Sequence, residues 1–167
     1  MKNGVYTCHF SSPLGRITLS SDGESLTGLR FGNEEPTDND DLPVFRETVR
    51  WLDLYFAGKI PDFTPPLRLI ATPFCKSVCR LLLTVPYGQT TTYGKIAEEI
   101  ARQRGIARMS AQAVGGAVGH NPISLIIPCH RVVGSDGSLT GYAWGLDRKA
   151  ALLELERNNY HERLYNH

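Results

Sequence analysis

The sequence predicts an α+β fold with two lobes, an N-terminal α/β lobe with a small antiparallel sheet and a C-terminal, mainly helical lobe. Residues 4–31 alternate apolar and polar side chains around a Ser-Asp-Gly turn, which is typical of antiparallel strands. Beyond residue 70 the apolar side chains recur every three or four positions, as they do in amphipathic helices. A Pro-rich connection joins the two patterns, so we divide the chain into lobes 1–70 and 71–167.

The first lobe begins with strands and ends with a helix. The candidate strands are VYTCHF, PLGRITLSS and LTGLRF, and SDGES is the hairpin turn between the last two. The acidic, apolar-poor stretch 32–43 indicates an exposed loop. Residues 44–57 have the apolar spacing of a helix, and Gly58 suits the position just after its end.

Start and stop signals divide the second lobe into helices. Thr72 is a candidate N-cap followed by proline, and the helix it begins should run as far as Pro86. A second helix should start after Thr92 and end at Gly105. Ser110 is the candidate N-cap of a third helix, AQAVGGAVG. The second and third helices are joined by a short connection and predict a helix-turn-helix.

The remainder of the second lobe contains an apolar run and a last helix. SLIIP at 124–128 predicts a short buried strand, because it is apolar and is bounded by prolines. Residues 147–158 place apolar side chains on one face of a final helix.

Composition and cysteine content exclude several classes of protein. The chain has 167 residues, of which 41% are hydrophobic and 21% charged, as in ordinary globular proteins. No apolar run is long enough to span a membrane, and the N-terminus lacks the apolar core of a secretory signal. We therefore expect a cytoplasmic protein in which Cys8, Cys75, Cys79 and Cys129 are reduced thiols.

The net charge of +1 hides an uneven distribution. Residues 72–167 contain 11 Lys and Arg against 7 Asp and Glu, whereas residues 1–71 contain 7 against 10. A basic second half is compatible with a polyanionic partner, although a solvated basic face has the same signature.

Unusual residues concentrate in the segment IIPCHRVVGSDGSLTGY, where Cys129 and His130 are adjacent. A thiol is a poor nucleophile unless it is ionised, and a neighbouring base such as His130 would help to ionise it. Neighbouring side chains on an extended backbone point in opposite directions, so this pair would need a turn or a bridging water. Alone, such a pair is more often a structural cysteine beside a surface histidine.

The surrounding motifs favour a reactive cysteine. The chain resembles the O6-alkylguanine-DNA alkyltransferases in Pro-Cys-His-Arg-Val at 128–132, in Asn121-Pro122 upstream and in Gly141-Tyr142 downstream. The similarity covers about residues 72–157 and continues in AVGGAVGHNP and GLDRKAALLELE. It implies a partner, double-stranded DNA containing O6-alkylguanine, and a flipped nucleotide whose alkyl group moves irreversibly to the protein's own cysteine. It implies no cofactor, and it leaves O4-alkylthymine open as a second substrate. We expect a monomer, because a single-use protein binds one lesion.

The resemblance also implies the roles of the catalytic residues. Cys129 is the alkyl acceptor, His130 is the base that acts through a water molecule, and Glu156 orients and stabilises His130. Asn121 braces the active-site turn.

Contacts to the substrate are implied at further positions. The Tyr93 hydroxyl donates to guanine N3, the Val132 carbonyl accepts from the exocyclic amine, and the Ala143 N–H faces O6. Lys149 supports the site near the bridging water and the turn. Trp144 stands where many members have a second glycine, so we expect its ring to narrow the pocket.

The helix AQAVGGAVG corresponds to the family's minor-groove helix, with Gln112, Ala113 and Gly115 as DNA contacts and Arg108 and Arg131 as further contacts. Its small side chains suit close approach to a backbone, although they would also suit helix packing. Gln112 departs from the family, in which an arginine commonly fills the space of the flipped base. Three upstream arginines could supply phosphate attraction instead: Arg102, Arg104 and Arg108.

Three alternatives remain at this point: a DNA binder without catalysis, a helix-turn-helix regulator that senses redox or alkylation, and a Cys-His hydrolase with multiple turnovers. We expect no metal, because Cys75 and Cys79 share a helix face without two further ligands nearby in sequence.

Overall fold

The computed structural model describes residues 5–32 and 39–165, with side chains described as far as Asn159. Internal contacts divide the chain into two compact units, Met1–Ile70 with Pro122–Ser124, and Ala71–Asn121 with Leu125–His167. The predicted α+β class is confirmed. None of the helices in the described ranges has the length and apolarity needed to cross a bilayer.

The first unit is an antiparallel sheet packed on one helix. Its strands are β1 (Tyr6–Ser12), β2 (Gly15–Ser21) and β3 (Leu26–Phe31), paired in the order β1-β2-β3. The helix is α1 (Pro43–Phe56), and Gly58, with φ of 82°, donates to the Tyr55 carbonyl just beyond its end. The predicted hairpin and the predicted stop at Gly58 are confirmed.

The second unit is mainly helical. Its helices are α2 (Pro73–Leu82), α3 (Tyr93–Arg104), α4 (Ala111–Gly119) and α5 (Leu146–Tyr165). Two short strands, β4 (Thr91–Thr92) and β5 (Val132–Val133), pair in parallel. A 3-10 turn, Cys129–Arg131, directly precedes β5. The parallel pair therefore fixes the start of α3 next to the segment that carries Cys129.

The predicted helix starts are confirmed by their capping hydrogen bonds. The side chains of Thr72, Thr92 and Ser110 each accept from the backbone N–H three residues later. Gly105 ends α3 in the left-handed conformation with φ of 64°. Because α3 and α4 are joined by the six residues 105–110 and pack on each other, they form the expected helix-turn-helix.

Three sequence predictions differ from the structure. The segment 124–128 is buried but is not a strand, because Leu125 has φ of 68° and the backbone turns there. Helix α2 ends at Leu82, before Pro86, and α5 extends beyond residue 158 to Tyr165. Of the predicted loop 32–43, residues 33–38 lie outside the described residues and Pro43 is the first residue of α1.

Candidate active site

Cys129 lies on the 3-10 turn that follows Pro128. Its backbone N–H donates to the Ile127 carbonyl at 2.8 Å, and the Arg131 N–H donates to the Pro128 carbonyl at 3.0 Å. Cys129 is 5% exposed and His130 is fully buried. Cys129 and His130 therefore lie on a turn, as they must if both side chains are to act at one site. The burial of His130 excludes a structural cysteine beside a surface histidine.

Asn121 braces this turn from within the same unit. Its Nδ2 donates to the Ile127 carbonyl at 2.8 Å. Its Oδ1 accepts from the Cys79 thiol, with 3.9 Å between sulfur and oxygen. Burial, followed by the influence of Cys75 and Cys129, raises the pKa of Cys79 to about 12, so this sulfur keeps its proton and can donate. These contacts support the bracing role expected of Asn121.

His130 and Glu156 form a buried pair. The distance from His130 Nε2 to Glu156 Oε2 is 2.5 Å, and both side chains are almost completely enclosed. Because a carboxylate only accepts, the neutral ring carries its proton on Nε2, and Nδ1 is the nitrogen able to take up a proton. The structure thus brings Glu156, 26 residues away in sequence, to the position in which it orients the imidazole.

The protonation states of this pair follow from its surroundings. Burial lowers the pKa of His130; Glu156 opposes this effect, while Arg131 and Lys149 add to it. Burial alone would raise the pKa of Glu156, but His130 and Arg131 lower it to about 2. Both directions favour a neutral imidazole and an ionised carboxylate in the resting site, which is the state required of a general base.

The side chain of Arg131, a predicted DNA contact, binds protein acceptors in the structure. Its Nε donates to Glu156 Oε1 at 2.7 Å, and its Nη1 donates to the Val85 carbonyl at 2.8 Å. The residue is 8% exposed. A guanidinium bound to buried protein acceptors is directed away from solvent, so this geometry does not favour the DNA contact expected of Arg131, which stays a prediction. The backbone N–H of Gly88 is a further donor to Glu156 Oε1, at 3.1 Å.

Lys149 is also buried and lies about two turns before Glu156 on α5. Its Nζ donates to the Thr140 carbonyl at 2.7 Å and to the Gly141 carbonyl at 3.3 Å. The same nitrogen lies 6.0 Å from the centre of the Tyr93 ring. Lys149 thus ties the loop before Tyr142 to α5 and stands beside Tyr93.

The loop after the turn carries the remaining predicted pocket residues. Tyr142 to Gly145 form a turn closed by a 3.1 Å hydrogen bond from the Gly145 N–H to the Tyr142 carbonyl. Ala143 is exposed and Trp144 is half-buried. The Tyr142 hydroxyl is enclosed without a hydrogen-bond partner among the described residues. Val132 is fully buried at the start of β5.

Helix α4 presents a surface of small side chains. Gln112, Ala113 and Gly116 are exposed, and Arg108 is exposed just upstream of the helix. Gly115 instead lies against the Tyr93 ring, where an added Cβ would stand 3.8 Å from the ring carbons. Gly115 therefore brings α4 close to the start of α3, a packing role in addition to the DNA contact expected of it.

Sequence reasoning missed two features of the site. The Gly88 donor is a backbone group, which no side-chain motif reveals. The second feature is the contact between Arg131 and Glu156, which depends on the 3-10 turn of the backbone. The position of Arg131 two residues after Cys129 does not reveal this contact. Within the described ranges no group of three or more His, Cys, Asp or Glu side chains could hold a metal ion.

The sequence matches one protein family along most of its length. Residues 73–158 match "6-O-methylguanine DNA methyltransferase, DNA binding domain", and residues 1–69 match "6-O-methylguanine DNA methyltransferase, ribonuclease-like domain". A methylated-DNA–protein-cysteine methyltransferase of Mycobacterium bovis is 46% identical over 152 residues, which is 88% of this chain and 89% of that protein. The protein of the same name from Methanosarcina barkeri is 46% identical over 161 residues, or 93% and 99%.

Solved structures share the fold. The O6-methylguanine methyltransferase of Mycobacterium tuberculosis superposes with a TM-score of 0.79 at 43% identity, over 93% of this chain and 94% of that one. The Mycobacterium tuberculosis OGT crystallised in complex with DNA gives a TM-score of 0.78 at 45% identity, over 90% and 92%.

Proposed function

This chain belongs to the 6-O-methylguanine DNA methyltransferase family, and from that premise we propose that it repairs DNA by moving an alkyl group from O6-alkylguanine to the sulfur of its own Cys129. The observation that carries the proposal is the buried His130–Glu156 pair next to Cys129, with 2.5 Å between Nε2 and Oε2. A neutral imidazole held by a carboxylate is the base that a thiol nucleophile needs.

The transfer is a displacement at carbon. The proton of Cys129 passes through a water molecule to His130 Nδ1, and Glu156 stabilises the imidazolium that results. The thiolate attacks the alkyl carbon, a sulfur–carbon bond forms, and the bond from that carbon to guanine O6 breaks. The electron pair of the broken bond remains on guanine, and the Tyr93 hydroxyl assists the leaving base by donating to N3. The thioether is stable, so each chain acts once.

The other proposed contacts supply position and discrimination. Asn121 keeps Cys129 on its turn through the Ile127 carbonyl. Lys149 holds the loop that presents the Ala143 N–H to O6. The Val132 carbonyl accepts from the guanine amine, and Trp144 borders the space for the alkyl group.

The partner is double-stranded DNA in which the damaged nucleotide has been extruded. The exposed surface of α4, with Gln112 and Ala113, is proposed to enter the minor groove, and Arg108 to meet a phosphate. Neutralised phosphates release counterions, so affinity should fall steeply with salt. We place the protein in the cytoplasm, where its four free thiols remain reduced. It acts as a monomer, because acceptor, base and positioning groups all belong to one chain.

The test is stoichiometry. We expect the intact mass of the protein to increase by one CH₂ group after incubation with duplex DNA containing O6-methylguanine, and the modified peptide to contain Cys129. Transfer should stop at one group per chain in an excess of DNA. A mass that never changes in the presence of bound DNA would indicate a lesion binder, and continued turnover would indicate a hydrolase.

A further inference from the structure

Arg131 follows the reactive Cys-His pair in sequence but turns into the protein. Its side chain is 10% exposed, and its Nε lies 2.7 Å from Glu156 Oε1. Its Nη1 lies 2.8 Å from the Val85 carbonyl, and its guanidinium carbon lies 5.6 Å from the centre of the Tyr87 ring. The guanidinium of Arg131 therefore contacts groups of the second, mainly helical unit through its nitrogens and through its plane.

We propose that Arg131 is a positioning residue for alkyl transfer, which holds Glu156 against His130 and keeps the imidazole neutral until it receives the proton of Cys129. The inference rests on the proposed function and assigns a further residue to the same site. It replaces the DNA contact that sequence alone predicted for Arg131.

The geometry of Glu156 explains the positioning. Its Oε2 is occupied by His130 Nε2, and its Oε1 accepts both from Arg131 Nε and from the Gly88 backbone N–H. Because different donors hold the two oxygens, the carboxylate cannot rotate without breaking a charge-assisted hydrogen bond. The same arginine is anchored to Val85, so the orientation of the His130 ring is fixed through two side chains.

The charges around His130 explain the protonation state. Helix α5 supplies Glu156, which favours the imidazolium, and Lys149, which opposes it. The turn itself supplies Arg131, which also opposes it. Cys79, from α2, stays protonated and contributes no charge. Removal of Arg131 deletes one of two opposing cations and leaves Glu156 with one less competing donor, so His130 should hold a proton at higher pH.

The experiment is a pH profile of single-turnover alkyl transfer, measured across the range in which imidazole titrates, about pH 5 to 8. In Arg131→Gln we expect the acidic limb of the profile to move upward by about one pH unit relative to wild type. Arg131→Lys keeps a cation at this position and should return the limb toward its wild-type pH. The matched control is Arg80→Gln, which removes an exposed cation at the end of α2 and should leave the limb unchanged.

If Arg131 is only structural, Arg131→Gln should lower thermal stability and leave the acidic limb of the pH profile at its wild-type pH. That result would overturn the inference. If Arg131→Gln does not fold, Arg131→Met supplies a second neutral side chain of similar length, with the same shift expected. Duplex affinity and its salt dependence should match wild type in the folded variants; a salt slope lower by about one would identify a phosphate contact instead. If wild type itself never gains an alkyl group, the proposed function fails, whereas active wild type with an unmoved limb in Arg131→Gln refutes this inference alone.

Discussion

The side chain of Asn121 donates a hydrogen bond of 2.8 Å to the backbone carbonyl of Ile127, two residues before Cys129. The loop that this bond closes contains Leu125 in the left-handed conformation, with φ of 68°. That conformation costs a residue with a Cβ about 1–2 kcal/mol, so the loop depends on contacts that hold it closed. The position of the reactive sulfur is thus coupled to one amide side chain.

We predict that Asn121→Asp lowers the free energy of unfolding by at least about 1–3 kcal/mol, because the buried Ile127 carbonyl loses its donor and faces a carboxyl group. Alkyl transfer should slow in the same variant. The control is Asn39→Asp, since Asn39 Oδ1 accepts from the His9 N–H, and aspartate retains that acceptor. Urea unfolding measures both, and equal stability of the two variants would contradict the bracing role of Asn121.

The pH dependence of stability should report His130. Burial lowers its folded-state pKa below the ordinary 6.5, so the unfolded chain takes up this proton first as the pH falls. Stability should be full above about pH 6.5 and decline below it, with a slope that approaches about 1.4 kcal/mol per pH unit for one proton. The pKa of Glu156 is about 2 in the folded protein, below its ordinary 4.5, so Glu156 stabilises the fold above pH 4.5 and loses this contribution as the pH falls from 4.5 to about 2. Measurements above about pH 5 therefore separate the effect of His130 from that of Glu156.

The matched variants for this prediction are His130→Gln and His120→Gln. The first should remove most of the slope, whereas the second changes an exposed histidine and should retain it. Urea unfolding at several pH values makes the comparison, and a slope that survives in His130→Gln would assign it to another group.

Cys129→Ser should abolish alkyl transfer and leave duplex binding almost unchanged. A serine hydroxyl is a far weaker nucleophile at neutral pH, and the proposed phosphate contacts lie elsewhere on the chain. Intact mass and a binding titration measure the two properties. Cys8→Ser, on β1, is the control and should transfer normally. An alkyl group found on Cys129→Ser would move the acceptor to another cysteine.

Gln112→Arg should strengthen binding to duplex DNA and increase the salt dependence of affinity by about one counterion. The added guanidinium would lie on the exposed face of α4, where it can occupy the space of the flipped base. Gln89→Arg adds the same charge at an exposed residue outside the helices and should have a smaller effect. Binding titrations at several salt concentrations measure both effects. If Gln112→Arg binds duplex DNA more weakly than wild type, glutamine fits this position better than arginine and the prediction is wrong.

Trp144 should limit the size of the alkyl group. Overpacking a tight site costs about 1–3 kcal/mol, which corresponds to about a ten- to hundredfold loss of rate if the cost falls on the transition state. Wild type should therefore transfer methyl groups well and resist free O6-benzylguanine, and Trp144→Gly should gain benzyl transfer with little change in methyl transfer. Single-turnover rates with both substrates test this, alongside thermal unfolding. A variant that loses stability and gains no benzyl transfer would place the indole in packing.

Local signals in the sequence determined the elements and the family. Capping residues at Thr72, Thr92 and Ser110 fix the starts of helices through bonds to the next few backbone groups, so they could be predicted from their immediate neighbours. The Pro-Cys-His-Arg-Val motif indicated the acceptor and a candidate base for the same reason, since both belong to one short segment.

Tertiary structure decided what depends on residues distant in sequence. The apolar composition of residues 124–128 predicted that they are buried, but a buried segment can be either a strand or a turn. The hydrogen bond from Asn121 to the Ile127 carbonyl closes a turn here. The guanidinium of Arg131 can bind a phosphate or a carboxylate, so the residue type does not predict which of the two it contacts. Only the fold places Glu156 and the Val85 carbonyl within 2.8 Å of its nitrogens, and a guanidinium paired in a low-dielectric interior stays there.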